Sequence, residues 1–174
     1  VIWRGPLIGR AITQLWGDVM WGDLDYLLVD LPPGTSDASL TTMQSLPVNG
    51  IIMVTTPQSL ASMIVRKAVH MAQAVNTPII GVVENMAYFL CPDTGKKHLI
   101  FGPSHAREVA LAASAPLLAQ LPIDPQVAAR CDSGNVEAVA LQETPGFLDA
   151  FTKIAEVHIE NPRSGARSFS AEAR

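Results

Sequence analysis

Apolar and polar positions along this chain follow two rhythms that take turns. Residues 6–17 repeat apolar positions at helical spacing, with Leu7, Ile8, Ala11, Ile12 and Leu15 forming a stripe and Pro6 suited to a first turn. Tyr26–Leu31 is a short, mostly apolar run, the pattern of a strand covered on both faces. Asp37–Ser45 reads as a helix, with Asp37 placed to cap it. Gly50–Thr55 (GIIMVT) is a second buried strand. Ser59–Val75 is a strong amphipathic helix carried by Leu60, Met63, Ile64, Ala68, Met71 and Ala72. Pro78–Val83, a helix over Ser104–Ser114, a strand over Pro116–Leu121 and a helix over Thr144–Val157 complete the series.

Strands that alternate with helices predict an α/β domain, a mainly parallel sheet with helices on both faces. In such sheets ligands sit beyond the carboxyl ends of the strands. Four of these ends carry polar or turn-forming chemistry: Asp30 with LPPGTSD, Thr55-Thr56-Pro57-Gln58, Glu84-Asn85-Met86, and Pro122-Ile123-Asp124. The expected division is one domain over 1–159 and a flexible tail over 160–174, where Pro162, Gly165 and scattered Ser and Arg break the pattern.

Composition narrows the classes. Of 174 residues, 48% are hydrophobic and 16% charged, which fits a packed domain rather than a disordered chain. A formal net charge of -4 leaves no basic footprint for nucleic acid and no polybasic run for an anionic membrane. No apolar run approaches the ~18–20 residues that cross a bilayer. Two well-separated cysteines, Cys91 and Cys131, do not make a disulfide framework, so the expected setting is a reducing cytoplasm.

Asp30 closes an apolar run, and four residues later Gly34 opens the chain. A carboxylate there can hold magnesium, commonly through water, because magnesium prefers oxygen ligands and keeps part of its shell. A glycine can bring a bare backbone N–H against a terminal phosphate. Pro32 and Pro33 stiffen the path between the two.

Taken together, DLPPGTSD, VTTPQ, GVVENMAYF, the Cys-Pro before IFG, LPIDP and the early WRGPL resemble the Mrp-type branch of the MinD-like P-loop ATPases, known as iron–sulfur cluster carriers or assembly scaffolds. The similarity covers roughly residues 1–140, in order. It implies a P-loop NTPase fold of the MinD (SIMIBI) type, with ATP and Mg2+ bound between the strand ends. By this resemblance Asp30 is the Walker B aspartate and metal contact, and Leu31–Asp37 is the switch that senses the γ-phosphate. Gly34 and Thr35 would then meet phosphate, and Asp37 would position water. Gln58 belongs to the family's strand-end loop. Asn85 sits where related ATPases hydrogen-bond the adenine edge, and an amide suits that because it donates and accepts. Pro122 and Asp124 fall in the loop lining the other side of the base.

Two departures qualify the resemblance. Nothing in the chain fits G-x-x-x-x-G-K-[ST]; Gly95-Lys96-Lys97 lies in the wrong context. The chain opens on Val1, so the P-loop and its central strand are expected upstream, and this chain alone is not expected to bind ATP tightly or hydrolyse it. The family's cluster site is a Cys-Pro-x-Cys pair, from which two chains give four thiolates to one 4Fe-4S cluster. Here the segment reads Cys91-Pro92-Asp93-Thr94, and a hydroxyl is a poor iron ligand beside sulfide. The resemblance thus implies an ATP-dependent iron–sulfur carrier acting as a homodimer that serves iron–sulfur apoproteins, with Cys91 as the matching ligand. The alternative is a MinD/ParA-like partner-binding ATPase without a cluster.

Overall fold

The computed structural model of the chain describes residues 4–135 and 152–153. The described elements are α1 (Arg4–Asp18), α2 (Asp37–Ser45), β1 (Ile51–Thr55), α3 (Ser59–Ala74), β2 (Ile79–Leu90), β3 (Lys97–His98), α4 (Ala106–Ala113), β4 (Leu117–Ile123) and α5 (Pro125–Asp132). β2 lies between β1 and β4 and runs parallel to both, while the short β3 folds back antiparallel on the end of β2. This is the α/β architecture expected from the alternation. Most of the helix expected over Thr144–Val157, and the tail expected over 160–174, fall outside the described residues.

The core lies where α2, α3 and α4 cover one face of the sheet. Met43 of α2, Met53 of β1, Val69 and Ala72 of α3, Val82 of β2, and Val109, Ala110 and Ala113 of α4 form one buried cluster. Small residues at these helix positions let the helices approach the sheet closely. The centre of the sheet is equally tight. A Cβ on Gly81 would collide with the Leu118 side chain of β4, so only glycine lets that leucine lie across β2.

α1 departs from the expected stripe. It approaches α2 through its glycines: a Cβ on Gly5 would stand 3.0 Å from the Asp37 carboxylate, and one on Gly9 would stand 3.4 Å from Thr41. Its apolar stripe is left outward, with Leu7 63% and Leu15 61% exposed.

The run Tyr26–Leu31 is not a strand. It is irregular, and Leu28 is 88% exposed. Apolar composition suits a strand, but a strand exists only through a ladder partner. Among the described residues β1 pairs with β2 alone, and no strand offers a ladder to this run. Leu31, at its end, does pack against the core cluster. None of the described helices is long and apolar enough to cross a membrane.

Candidate functional site

The parallel ladder brings three of the four singled-out segments to one edge. Thr55, the last residue of β1, is in register with Glu84, and Glu84 is in register with Gln120. Thr56–Gln58, Asn85 and Pro122–Asp124 therefore all lie at the carboxyl edge of the sheet, where α/β sheets receive ligands.

β2 does not stop at that edge, as its sequence suggests, but continues to Leu90 through an irregularity. Glu84 pairs with Gln120 and Tyr88 with Pro122, so three residues of β2 stand against one of β4. Met86 takes φ 56°, a left-handed conformation that a long side chain rarely adopts. The Asn85 Oδ1 accepts the Met86 N–H at 2.9 Å and holds this bulge in shape. That bond uses the amide oxygen and not the NH2 donors, which suit a base edge.

Gln58 occupies the N-cap position of α3 but makes no side-chain cap bond. Its Oε1 is buried, and among the described residues it has no hydrogen-bond partner. A buried acceptor without a donor is costly, on the order of 1–3 kcal/mol. Pro122 is buried in β4. Asp124 caps α5, its Oδ1 accepting the N–H of Gln126 at 2.8 Å and of Val127 at 3.4 Å, with Pro125 in the first turn.

The fourth segment, Asp30–Asp37, passes beside α3. Gly34 takes φ 81°, and a Cβ there would meet Ile64 of α3 at an ordinary 3.9 Å. The glycine thus serves the backbone turn rather than making room. Asp30 and Thr35 are exposed. The cap of α2 is Ser36, not Asp37: Ser36 Oγ accepts the Ser39 N–H at 3.1 Å. The Ser39 hydroxyl lies 2.9 Å from Ser36 Oγ and 3.5 Å from the Pro32 carbonyl. Serine wins the cap because it is the residue in extended conformation, φ -82° and ψ 159°, while Asp37 is already in the first turn.

Cys91 follows β2 in the hairpin to β3. The Cys91 N–H donates to the Lys96 carbonyl at 3.0 Å, and the Gly95 N–H donates to the Cys91 carbonyl at 2.8 Å. The Thr94 hydroxyl, then the N–H groups of Thr94 and Asp93, bond to the Cys91 sulfur and lower its pKa below the ordinary thiol value. Thr94 therefore stabilises the thiolate of Cys91 instead of supplying a second sulfur. No group of three His, Cys, Asp or Glu that could hold a metal ion occurs among the described residues. His98 pairs with Phe89 in the hairpin and His105 Nδ1 lies 3.4 Å from Glu108, so the histidines near Cys91 do not build a centre with it.

One further group, named in the sequence only as part of a strand-end segment, has no role assigned there. Glu84 is completely buried, with a relative exposure of 0%. Ser104 Oγ donates to its Oε1 at 2.9 Å, and Gln120 Nε2 to its Oε2 at 2.6 Å. A glutamate closing the apolar run GVV was the available signal, since a carboxylate inside a sheet requires partners. A separate groove lies elsewhere, between α1 and α2. It holds about 500 Å³ and is lined by Gly9, Arg10, Thr13, Gln14, Thr41 and Ser45.

The family described as ParA, NUBPL iron-transfer P-loop NTPase, matches residues 1–158. The iron–sulfur cluster carrier protein of Aquifex aeolicus is 43% identical over 157 residues, covering 90% of this chain and 43% of the relative. That of Saccharolobus solfataricus is 40% identical over 161 residues, covering 90% and 54%. The chain thus spans about half the length of the curated relatives it matches. A nucleotide-binding protein of Archaeoglobus fulgidus, solved in complex with ADP and with Co, superposes with a TM-score of 0.70 at 43% identity, covering 82% of this chain and 57% of that one. The cell division ATPase MinD of Pyrococcus furiosus shares the fold with a TM-score of 0.59 at 23% identity, covering 90% and 58%. With the strand-end sequences in place on this fold and the match extending over nearly the whole chain, the protein belongs to the ParA family of NUBPL-type iron-transfer P-loop NTPases.

Proposed function

We propose that this chain forms the switch and thiol-bearing portion of an ATP-dependent iron–sulfur cluster carrier. The observation that carries the reading is the meeting of Gln58, Asn85 and Pro122–Asp124 on one sheet edge, with an unpartnered buried acceptor on Gln58 among them. That acceptor, the left-handed Gly34 and the amide donors of Asn85 fit a nucleotide, whose base and ribose offer donors and whose phosphates accept backbone N–H groups. Bound ATP and Mg2+ would supply the energy of phosphoryl transfer.

The residues then take these parts. Asp30 would hold magnesium, Gly34 and Thr35 would present N–H groups to the terminal phosphate, and Asp37 would orient a water beside it. Gln58 satisfies its oxygen on the nucleotide. Asn85 reads the adenine edge, and Pro122 lines the other side of the base on the loop that Asp124 fixes by capping α5. No G-x-x-x-x-G-K-[ST] segment, which supplies the phosphate-cradling lysine in catalysis of this kind, occurs in these 174 residues, and the chain spans about half of its relatives, so hydrolysis is proposed of the full-length protein.

The cargo is the iron–sulfur cluster, and Cys91 is its contact. The hydrogen bonds that favour its thiolate also favour metal binding, since the thiolate is the ligand form. With Thr94 outside the ligand set, two copies sharing a cluster would supply two thiolates, and the remaining ligands of a 4Fe-4S cluster would come from outside this segment. Recipients are iron–sulfur apoproteins, in a reducing cytoplasm. The names of the relatives favour this over a positioning ATPase without metal.

Anaerobic iron and sulfide reconstitution of the full-length protein tests the cargo role. Cys91→Ser is expected to lose most of the bound iron, and Asn85→Ala to weaken ADP binding about tenfold, or roughly 1.4 kcal/mol. Iron held equally by Cys91→Ser removes the cluster role, and absence of any nucleotide affinity removes the ATPase role.

A further inference from the structure

A carboxylate that is fully buried with only neutral partners is an expensive way to fill a sheet. An apolar residue of similar size would avoid the desolvation cost. Glu84 is such a group, and both its donors come from outside its own strand. Gln120 belongs to β4, and Ser104 to the segment that enters α4. Ser104 also accepts the Ala106 N–H at 3.2 Å and lies 3.1 Å from Gln120 Nε2. The three side chains thus close into a small network in which each touches the other two.

The position of this network matters more than its chemistry. The pair Glu84–Gln120 is the last one before β2 bulges at Asn85 and Met86. Left-handed backbone at a residue such as Met86 persists only where its surroundings enforce it. On the other side, the chain passes Leu90, carries Cys91, turns back as β3 beside Phe89 and Leu90, and reaches Ser104, so that residues 91–104 form one excursion from β2 around Cys91. Glu84 Oε1 therefore ties Ser104, at the far end of that excursion, back to β2, the strand from which Cys91 follows. It does so at the residue next to Asn85.

We propose that Glu84 is a positioning residue that couples the Asn85–Met86 bulge, through Ser104, to the Cys91 excursion, so that nucleotide at the strand ends is felt in residues 96–105. The inference rests on the nucleotide reading above. A ligand that engages Asn85 changes the bulge, the bulge bears on Glu84, and Glu84 pulls on Ser104. The Asn85–Met86 and Glu84–Ser104 links are hydrogen bonds, and the element proposed to change state is the bulge.

Amide hydrogen exchange of the full-length protein, with and without ADP and Mg2+, tests it, with ADP affinity measured in parallel. In the unmodified protein ADP is expected to slow exchange in residues 96–105 about fivefold, the low end for coupling between two sites. Glu84→Gln is expected to bind ADP and lose that response, and the exchanged pair Glu84→Gln with Gln120→Glu to regain it. Ser104→Ala, at an exposed position, is expected to lose the response without loss of folding, and it decides the matter if Glu84→Gln does not fold. If the unmodified protein binds no ADP, the nucleotide reading itself falls. If it binds ADP while residues 96–105 do not respond, or if folded Ser104→Ala or Glu84→Gln responds as the unmodified protein does, the nucleotide reading stands and the coupling is overturned. A folded exchanged pair that stays silent also overturns it.

Discussion

At the scale of single residues, the chemistry of this chain rests on atoms whose bonding differs from what their neighbours in sequence suggest. Thr94 is one. It stands where a second thiolate would be and acts instead on the first. The pH profile of Cys91 alkylation, followed by peptide mass spectrometry, is expected to have its midpoint below that of an ordinary thiol. The sign follows from the bonds: donors to sulfur stabilise the charged form, so the folded pKa falls and thiolate persists to lower pH. Thr94→Val removes the largest of these bonds and is expected to move the midpoint up. An unchanged midpoint would show that the hydroxyl does not reach the sulfur in solution. Gly34 is another. Because its absent Cβ would meet nothing closer than Ile64 at 3.9 Å, the cost of Gly34→Ala is that of a left-handed backbone alone. Denaturant unfolding should show a loss of about 1–2 kcal/mol. Asp30, Gly34 and Asn85 were visible in the sequence because each closes or follows an apolar run. Glu84 was visible too, but its partners were not: Ser104 and Gln120 lie 20 and 36 positions away, and only the folded sheet brings them together.

At the scale of elements, periodicity located what local patterning determines. β1, β4 and α1 to α4 lie within a few residues of where the apolar rhythm puts them. The disagreements share a cause, namely pairing with distant chain. Tyr26–Leu31 has strand composition but no ladder partner among the described residues. β2 overruns its expected end at Val83 because β4 continues beside it to Ile123 and β3 folds back on its tip. α5, unanticipated, is a short helix started by Asp124 and Pro125 rather than by any apolar stripe, and none of its residues is buried. The β2–β4 contact is where an element-scale test has most force. Gly81→Ala places a methyl into the Leu118 side chain, at a site buried from both strands. The expected loss is about 1–3 kcal/mol, read by thermal or denaturant unfolding, and Leu118→Ala in the same chain should recover part of it.

At the scale of the whole molecule, the described sheet is covered by α2, α3 and α4 on one face, while Val54 of β1, Leu7 and Leu15 of α1 and the run before Asp30 leave apolar surface open. A chain spanning about half of its relatives still keeps the edge on which the strand ends meet. The central claim is that this edge, and not the groove between α1 and α2, receives the nucleotide. Photo-crosslinking of the full-length protein with 8-azido-ADP, with adducts mapped by peptide mass spectrometry, separates the two directly. Adducts at Asn85 and within Pro122–Asp124, suppressed by excess ADP, are the predicted result. Suppressible adducts confined to Gly9–Gln14 or Thr41–Ser45 would contradict it.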